Sequence, residues 1–326
     1  MLKCTKKVLG LSTYDFKDLF KKIGLKNKDG EYPRLIDIRE EEYFKVYIFS
    51  PPVGITISDF KEKEEKNISS NENIEDLQLN EEQEEPKTEP EEINRFEGLT
   101  LINDNRGVPV LYYHSVDPSE ENEVIISPDR LREQLQLIKD SGYTTLTISE
   151  FNDYIVNKKP IPEKSILITF DDGYMDNYTN AFPILKELDM KATIFVITSV
   201  IDEGSYYLSS ERIKEMSDYG IDIESHTATH SHLDQLTYEE QLKELKDSKE
   251  KIESITGKKV LSVAYPYGDL NEDSTKAVKE AGYSLAFTTN LGYSDRDDTP
   301  VKLDRIYVSS RYTMEKFKSR LINTNK

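Results

Sequence analysis

The sequence predicts an α/β protein, a parallel sheet or barrel of βα units, preceded by a small α+β module. Three observations predict it. From residue 108 onward, short apolar runs alternate with helical patterns of ten or more residues, the signature of βα units. Upstream, strand-like alternation is cut off by an acidic segment with no apolar period. Acidic, histidine and Tyr-Gly residues fall at the ends of the later apolar runs, where α/β folds gather their active-site residues.

Residues 1–63 make the first unit. In it "TYDFKDLFKKIGL" reads as a short amphipathic helix and "RLIDIREEEYFKVYIFSPPVGITISDF" alternates as half-buried strands do; its role is open. Residues 64–97 read as a disordered linker, because a segment so polar cannot bury enough surface to offset chain entropy. From Glu64 to Glu92, twelve acids face Lys66 and Lys87, about half of the net charge of −19. Residues 98–326 hold the βα pattern. Strands are expected at "VPVLYY", "ILITF", "ATIFVI", "IDIES", "LSVAY" and "SLAFTT", and helices at "PDRLREQLQLIKDSG", "NAFPILKEL", "SSERIKEMSDYG", "YEEQLKELKDSKEKIESITG" and "DSTKAVKEAG".

Composition narrows the partners. An acidic chain lacks the basic surface that a nucleic-acid backbone requires, so no nucleic-acid partner is expected. Cys4 is the single cysteine, which excludes an intrachain disulfide. No apolar run is long enough for a signal-peptide core or a membrane span, so the chain as written reads as soluble and unexported. Oligomeric state is left open.

The strand ends carry the chemistry. In order they offer His114, then Asp171 and Asp172 in "ITFDDGYMDN", then His226 and His230 in "SHTATHSHL", then Tyr267 and Gly268 in "AYPYG". Three of the four histidines lie within seven residues. Two histidines four apart, on a helical turn or in a tight loop, can face one point, and with one carboxylate they form a common catalytic zinc set with a position left for water. Adjacent acids in an extended segment point to opposite sides, so one carboxylate can bind a cation while its neighbour faces the reacting water. A polar turn and a solvated loop are the plainer readings of each motif alone.

"TFDDG", "HTATH" and "AYPYG", in that order, resemble the first three motifs of the NodB-homology polysaccharide deacetylases, carbohydrate esterase family 4, over roughly residues 107–309. The resemblance implies a distorted (β/α)7 barrel. It also implies Asp171 as catalytic base and Asp172, His226 and His230 as ligands of a divalent metal, Zn2+ first, with Co2+, Ni2+ or Mn2+ as alternatives. In such a site the metal polarises the acetamide carbonyl and lowers the pKa of water from about 16 toward about 7. The backbone N–H of Tyr267, between Pro266 and Gly268, would meet the oxyanion, a donor typically worth about 3 kcal/mol. The motifs look closest to the poly-N-acetylglucosamine deacetylase branch.

Two departures stand out. The family's "RPPYG" arginine is replaced by Ala264, and no histidine follows His232 to form the later "LxH" motif that protonates the leaving amine. Arg305 in "LDRIYV" is the substitute expected for the first, with a surface ion pair as the alternative. His114 is the substitute expected for the second, with a packing role as the alternative. The implied substrate is an N-acetylated polysaccharide: peptidoglycan, poly-N-acetylglucosamine or a chitin-like oligomer. O-acetyl ester hydrolysis and a silent carbohydrate-binding role are the competing readings. Such polymers lie in the cell envelope or outside the cell, which conflicts with the missing export signal.

Overall fold

The computed structural model describes residues 95–322 and, upstream, the strands β1 (Leu2–Thr5), β2 (Arg34–Glu41) and β3 (Phe44–Ser50). The chain divides into two compact units, Met1–Glu91 and Glu92–Lys326. In the first, β3 lies between β1 and β2 in an antiparallel sheet, with a register shift between Leu35 and Asp37. Strands β2 and β3 fall within the stretch that alternates apolar and polar residues, and β1 lies outside it. The helix expected at "TYDFKDLFKKIGL" and residues 64–94 of the expected linker lie outside the described residues.

The second unit is a closed barrel of seven parallel strands: β4 (Val110–Tyr113), β5 (Ser165–Phe170), β6 (Thr193–Val196), β7 (Asp222–Ser225), β8 (Ser262–Ala264), β9 (Leu285–Leu291) and β10 (Leu303–Tyr307). Each pairs with its successor, and β10 closes on β4. A barrel strand is covered by side chains within and helices without, so it reads as an apolar run, not an alternation; all six residues of β5 are buried. The β9–β10 pairing shifts register between Phe287 and Leu291, which distorts the barrel.

Helices α1 (Pro128–Asp140), α2 (Ile148–Ile155), α3 (Phe182–Leu188), α4 (Ser210–Tyr219), α5 (Tyr238–Thr256), α6 (Glu272–Glu280) and α7 (Met314–Ile322) complete the unit. Side-chain caps on Ser127, Thr147, Ser209, Thr237 and Asn271 accept backbone N–H groups and fix five of the helix starts. The strand side chains sort into two cores. Ile166, Ile168 and Phe170 pack outward with Leu131, Leu135 and other helix residues. Leu167, Val110, Phe195, Ala264, Phe287 and Leu303 point inward, where Phe151 and Ile155 of α2 join them. This parity decides which strand-end residues can reach the barrel mouth.

Candidate active site

Asp171 continues the inward parity of Leu167 and Thr169 on β5, and its N–H donates to the Tyr113 carbonyl at 2.9 Å. Extended geometry does not separate it from Asp172, contrary to the sequence-based expectation. Asp172 is left-handed, with φ 72°, and so is Gly173. For a residue with a side chain this conformation costs about 1–2 kcal/mol, and the turn swings the Asp172 carboxylate toward the end of β7. Gly173 cannot be replaced freely, because a Cβ there would lie 2.8 Å from Val196 Cγ1.

His226 follows β7 with the inward parity of Glu224. The next residues form a tight loop and not a helical turn: Thr227 and His230 both have positive φ, and Thr227 Oγ1 accepts from the His230 N–H. The loop is tied to α5 through Glu244, which accepts from Thr229 N and Oγ1. His226 Nδ1 lies 2.7 Å from the Ala264 carbonyl. A carbonyl only accepts, so Nδ1 carries the proton and Nε2 presents its lone pair.

Asp172 Oδ1 lies 3.4 Å from His226 Nε2 and 3.4 Å from His230 Nε2. A tetrahedral ion with arms of about 2.1 Å has edges of about 3.4 Å. The donor set, the spacing and the fixed tautomer of His226 all fit a divalent metal. Burial acts to raise the Asp172 pKa, but the imidazoles of His226 and His230 beside it outweigh that effect and hold the carboxyl far below its ordinary range. Burial opposes charge on His226, yet Asp172 and Asp171 together raise its pKa. Both shifts describe a site that concentrates negative charge where a cation would sit.

Arg305 is not a surface ion pair. It is fully buried, and it grips Asp171 in a two-pronged pair, Nη1 to Oδ1 at 2.7 Å and Nη2 to Oδ2 at 2.8 Å. Nε donates to the Thr288 carbonyl, and the guanidinium lies 4.3 Å from the centre of the Tyr112 ring. Burial works to raise the Asp171 pKa, but Arg305 foremost overcomes it and keeps the carboxyl ionised. Position 264 holds a small inward residue of β8, and the cation reaches Asp171 from β10, which flanks β4 on the side opposite β5.

Tyr267 lies in the short turn Pro266–Gly268 with φ 59° and ψ −4°, again left-handed. Its carbonyl accepts from Thr289 Oγ1 at 3.3 Å. Gly268 is required, because a Cβ would stand 2.0 Å from that same oxygen. The Tyr267 ring is 55% exposed, edge-on to His230 and stacked on His232.

His114, at the end of β4, meets the Tyr112 ring edge-on at 5.9 Å, the ring on which the Arg305 guanidinium lies, and it feels the charges of Asp171 and Asp172. Its Nδ1 is buried with no hydrogen-bond partner. Burial pushes its pKa down against the pull of Asp171 and Asp172. The turn Asp295–Asp298 bonds internally and to Asn103 and Asn105, ahead of β4. Sequence reasoning missed the tie between Tyr174 and Asp172, which raises the Tyr174 pKa after burial has done most of it. It also missed Glu224, whose buried carboxyl oxygen Oε2 accepts from Leu261 N and Ser262 N and Oγ. The parity Glu224–His226 was the available signal.

A closed parallel barrel with an Asp-His-His set at its mouth and a second, arginine-held aspartate beside it belongs to the metal-site barrel hydrolases. The comparisons make that specific. A profile described as polysaccharide deacetylase matches residues 158–286, spanning Asp171, Asp172, His226, His230 and Tyr267 but neither His114 nor Arg305. YxkH of Bacillus subtilis, named for the polysaccharide deacetylases, is 39% identical over 202 residues, 62% of this chain and 71% of that protein. The poly-β-1,6-N-acetyl-D-glucosamine N-deacetylase of Staphylococcus epidermidis is 31% identical over 57% of this chain and 68% of its own. The structure of the Streptococcus pyogenes deacetylase PplD in complex with acetate superposes with a TM-score of 0.64 at 32% identity, covering 68% of this chain and all of that one. The chain belongs to the polysaccharide deacetylase family and is a hydrolase. Among the described residues, no helix is long and apolar enough to cross a membrane.

Proposed function

We propose that the protein removes N-acetyl groups from a GlcNAc-containing polysaccharide of the cell envelope or its surroundings, with Asp171 as base and Asp172, His226 and His230 holding a Zn2+ ion. The observation that carries this reading is the division of labour between adjacent carboxylates: Asp171 is bound by Arg305, while Asp172 faces two imidazoles. A divalent metal bound there would polarise the acetamide carbonyl and make a water nucleophilic at neutral pH.

The chain's own groups supply the rest. Arg305 keeps Asp171 ionised and fixed by two hydrogen bonds, so the carboxylate is ready to take a proton from the attacking water. The Tyr267 N–H, set by a left-handed backbone, is the donor assigned to the oxyanion. His114 is the group assigned to return a proton to the leaving nitrogen. Burial pushes its pKa down, while Asp171 and Asp172 favour the charged form that donates. The second reading is O-deacetylation, in which the leaving oxygen demands less protonation than an amide nitrogen.

The test is acetate release by zinc-loaded protein from N-acetylglucosamine oligomers, peptidoglycan and O-acetylated xylan. Release from the N-acetylated substrates that disappears in Asp171→Asn is expected, with a large loss of kcat in His114→Ala. Release from the ester alone would establish the second reading. No release from any substrate by protein shown to hold zinc would reject both.

A further inference from the structure

The family motif ends at Gly268, yet the side chains around Tyr267 extend beyond it. The His232 ring lies flat on the Tyr267 ring, with centroids 3.9 Å apart and planes within 9°. His232 Nδ1 is 2.7 Å from Asp269 Oδ2. Asp269 is two residues past Tyr267 and belongs to the same turn, its N–H donating to the Pro266 carbonyl. A closed loop of contacts results: Tyr267 ring to His232 ring, His232 to Asp269, and Asp269 by the backbone to Tyr267.

That loop surrounds a residue whose conformation needs support. Tyr267 is not glycine, yet it is left-handed, and its ring is more than half exposed, so burial does little to hold it. Any return to ordinary φ would rotate the peptide between Pro266 and Tyr267, and with it the N–H. On one side the ring meets His230 edge-on at 4.6 Å. On the other it meets His232, whose orientation Asp269 fixes.

We propose that His232 and Asp269 are positioning residues: their stacked, hydrogen-bonded pair holds the Tyr267 ring, and through it the left-handed peptide whose N–H serves as oxyanion donor. The proposal rests on the reading of Tyr267 given under Proposed function. His232 touches neither substrate nor reacting atoms in this scheme. Its flat ring matters, and its basicity does not.

The experiment compares His232→Ala, His232→Phe and Asp269→Asn in the zinc-loaded full chain, using a β-linked N-acetylglucosamine oligomer. A misplaced oxyanion donor weakens only transition-state binding, so kcat is expected to fall by about tenfold or more in His232→Ala with KM within about twofold. His232→Phe, which keeps the flat ring, is expected to recover most of that loss, with Asp269→Asn between the two. An unchanged kcat in His232→Ala, or a phenylalanine variant as poor as the alanine one, would overturn the proposal. So would a second bound zinc equivalent lost with His232, since His232, Asp234 and Asp269 have ligand atoms within 4.8 Å of one another and that result would assign them to a metal. A crystal structure of His232→Ala reads the proposal independently of turnover: Tyr267 is expected to leave the left-handed region or lose ring order. Inactive wild-type protein would defeat the functional reading while leaving this readout intact.

Discussion

Removing the Arg305 side chain tests the buried pair most directly. Arg305 is fully buried and Asp171 is 2% exposed, so Arg305→Met strands a buried carboxylate without its cation. Taking one partner from a buried pair typically costs about 3–5 kcal/mol, against a typical domain stability of about 5–15 kcal/mol. Asp171→Asn strands the guanidinium instead and is expected to cost a similar amount. The hydrogen bond to Thr288 and the contact with the Tyr112 face are lost whenever Arg305 is replaced, so they cancel in a double-mutant cycle. The double variant Asp171→Asn/Arg305→Met should therefore recover about 2 kcal/mol or more relative to the sum of the single losses. Urea unfolding followed by circular dichroism at neutral pH measures all four proteins. Coupling below about 0.5 kcal/mol, the range of independent sites, would refute the claim that Arg305 exists to hold Asp171.

Two further outcomes follow from the site and from the barrel interior. His230→Ala removes one of the three ligands proposed for the metal, so zinc affinity should fall by more than about 100-fold, the upper end for loss of an outer-sphere partner, and competition with a chromophoric chelator reads it; undiminished affinity would remove His230 from the proposed ligand set. Glu224 is driven up to about 8 by burial first and by Asp222 next, and Asp222 itself to about 6. An acid with a raised folded pKa keeps its proton when the unfolded chain has released it, so stability falls as pH rises from the ordinary carboxylate range to about 8. Glu224→Gln keeps an oxygen to accept from Leu261 and Ser262 and removes the titration. It should match the wild type near pH 5 and exceed it by an amount on the order of a few kcal/mol above pH 8; thermal melts that track each other across that range would exclude the effect.

The order of strands and helices was legible because a closed barrel leaves a plain mark: apolar runs such as "ILITF" and "ATIFVI" must be covered on both faces, and helices between them must turn one face inward. What escaped was short or late. Helix α2 has a readable capping box, Thr147 with Glu150, but only eight residues of pattern. The last strand, β10, mixes Asp304, Arg305 and Tyr307 among its apolar residues because one of its inward positions carries the arginine that grips Asp171. A strand that supplies a catalytic-site cation into the barrel breaks the apolar signal that would have identified it.

The residues that meet at the barrel mouth could be singled out from the sequence, and their geometry could not, for a reason that lies in the backbone. Spacing pointed to Asp171, Asp172, His226 and His230, which the structure brings together, but the extended alternation expected to separate the two acids is absent. Four residues other than glycine around the cleft, Asp172, Thr227, His230 and Tyr267, adopt positive φ. Each such residue re-aims a side chain or peptide that ordinary strand geometry would send elsewhere, and each needs neighbours to hold it there. At Asp172 the neighbours are two imidazoles, at His230 the Thr227 hydroxyl, and at Tyr267 the Thr289 hydroxyl and the flat ring of His232. Conformations of this kind leave no periodic mark in a sequence, since they are imposed by contacts between strand ends far apart in the chain. The cleft is thus assembled from residues that are individually strained and collectively braced, and the bracing residues, His232 and Thr289 among them, are where substitutions should change rate without touching the metal.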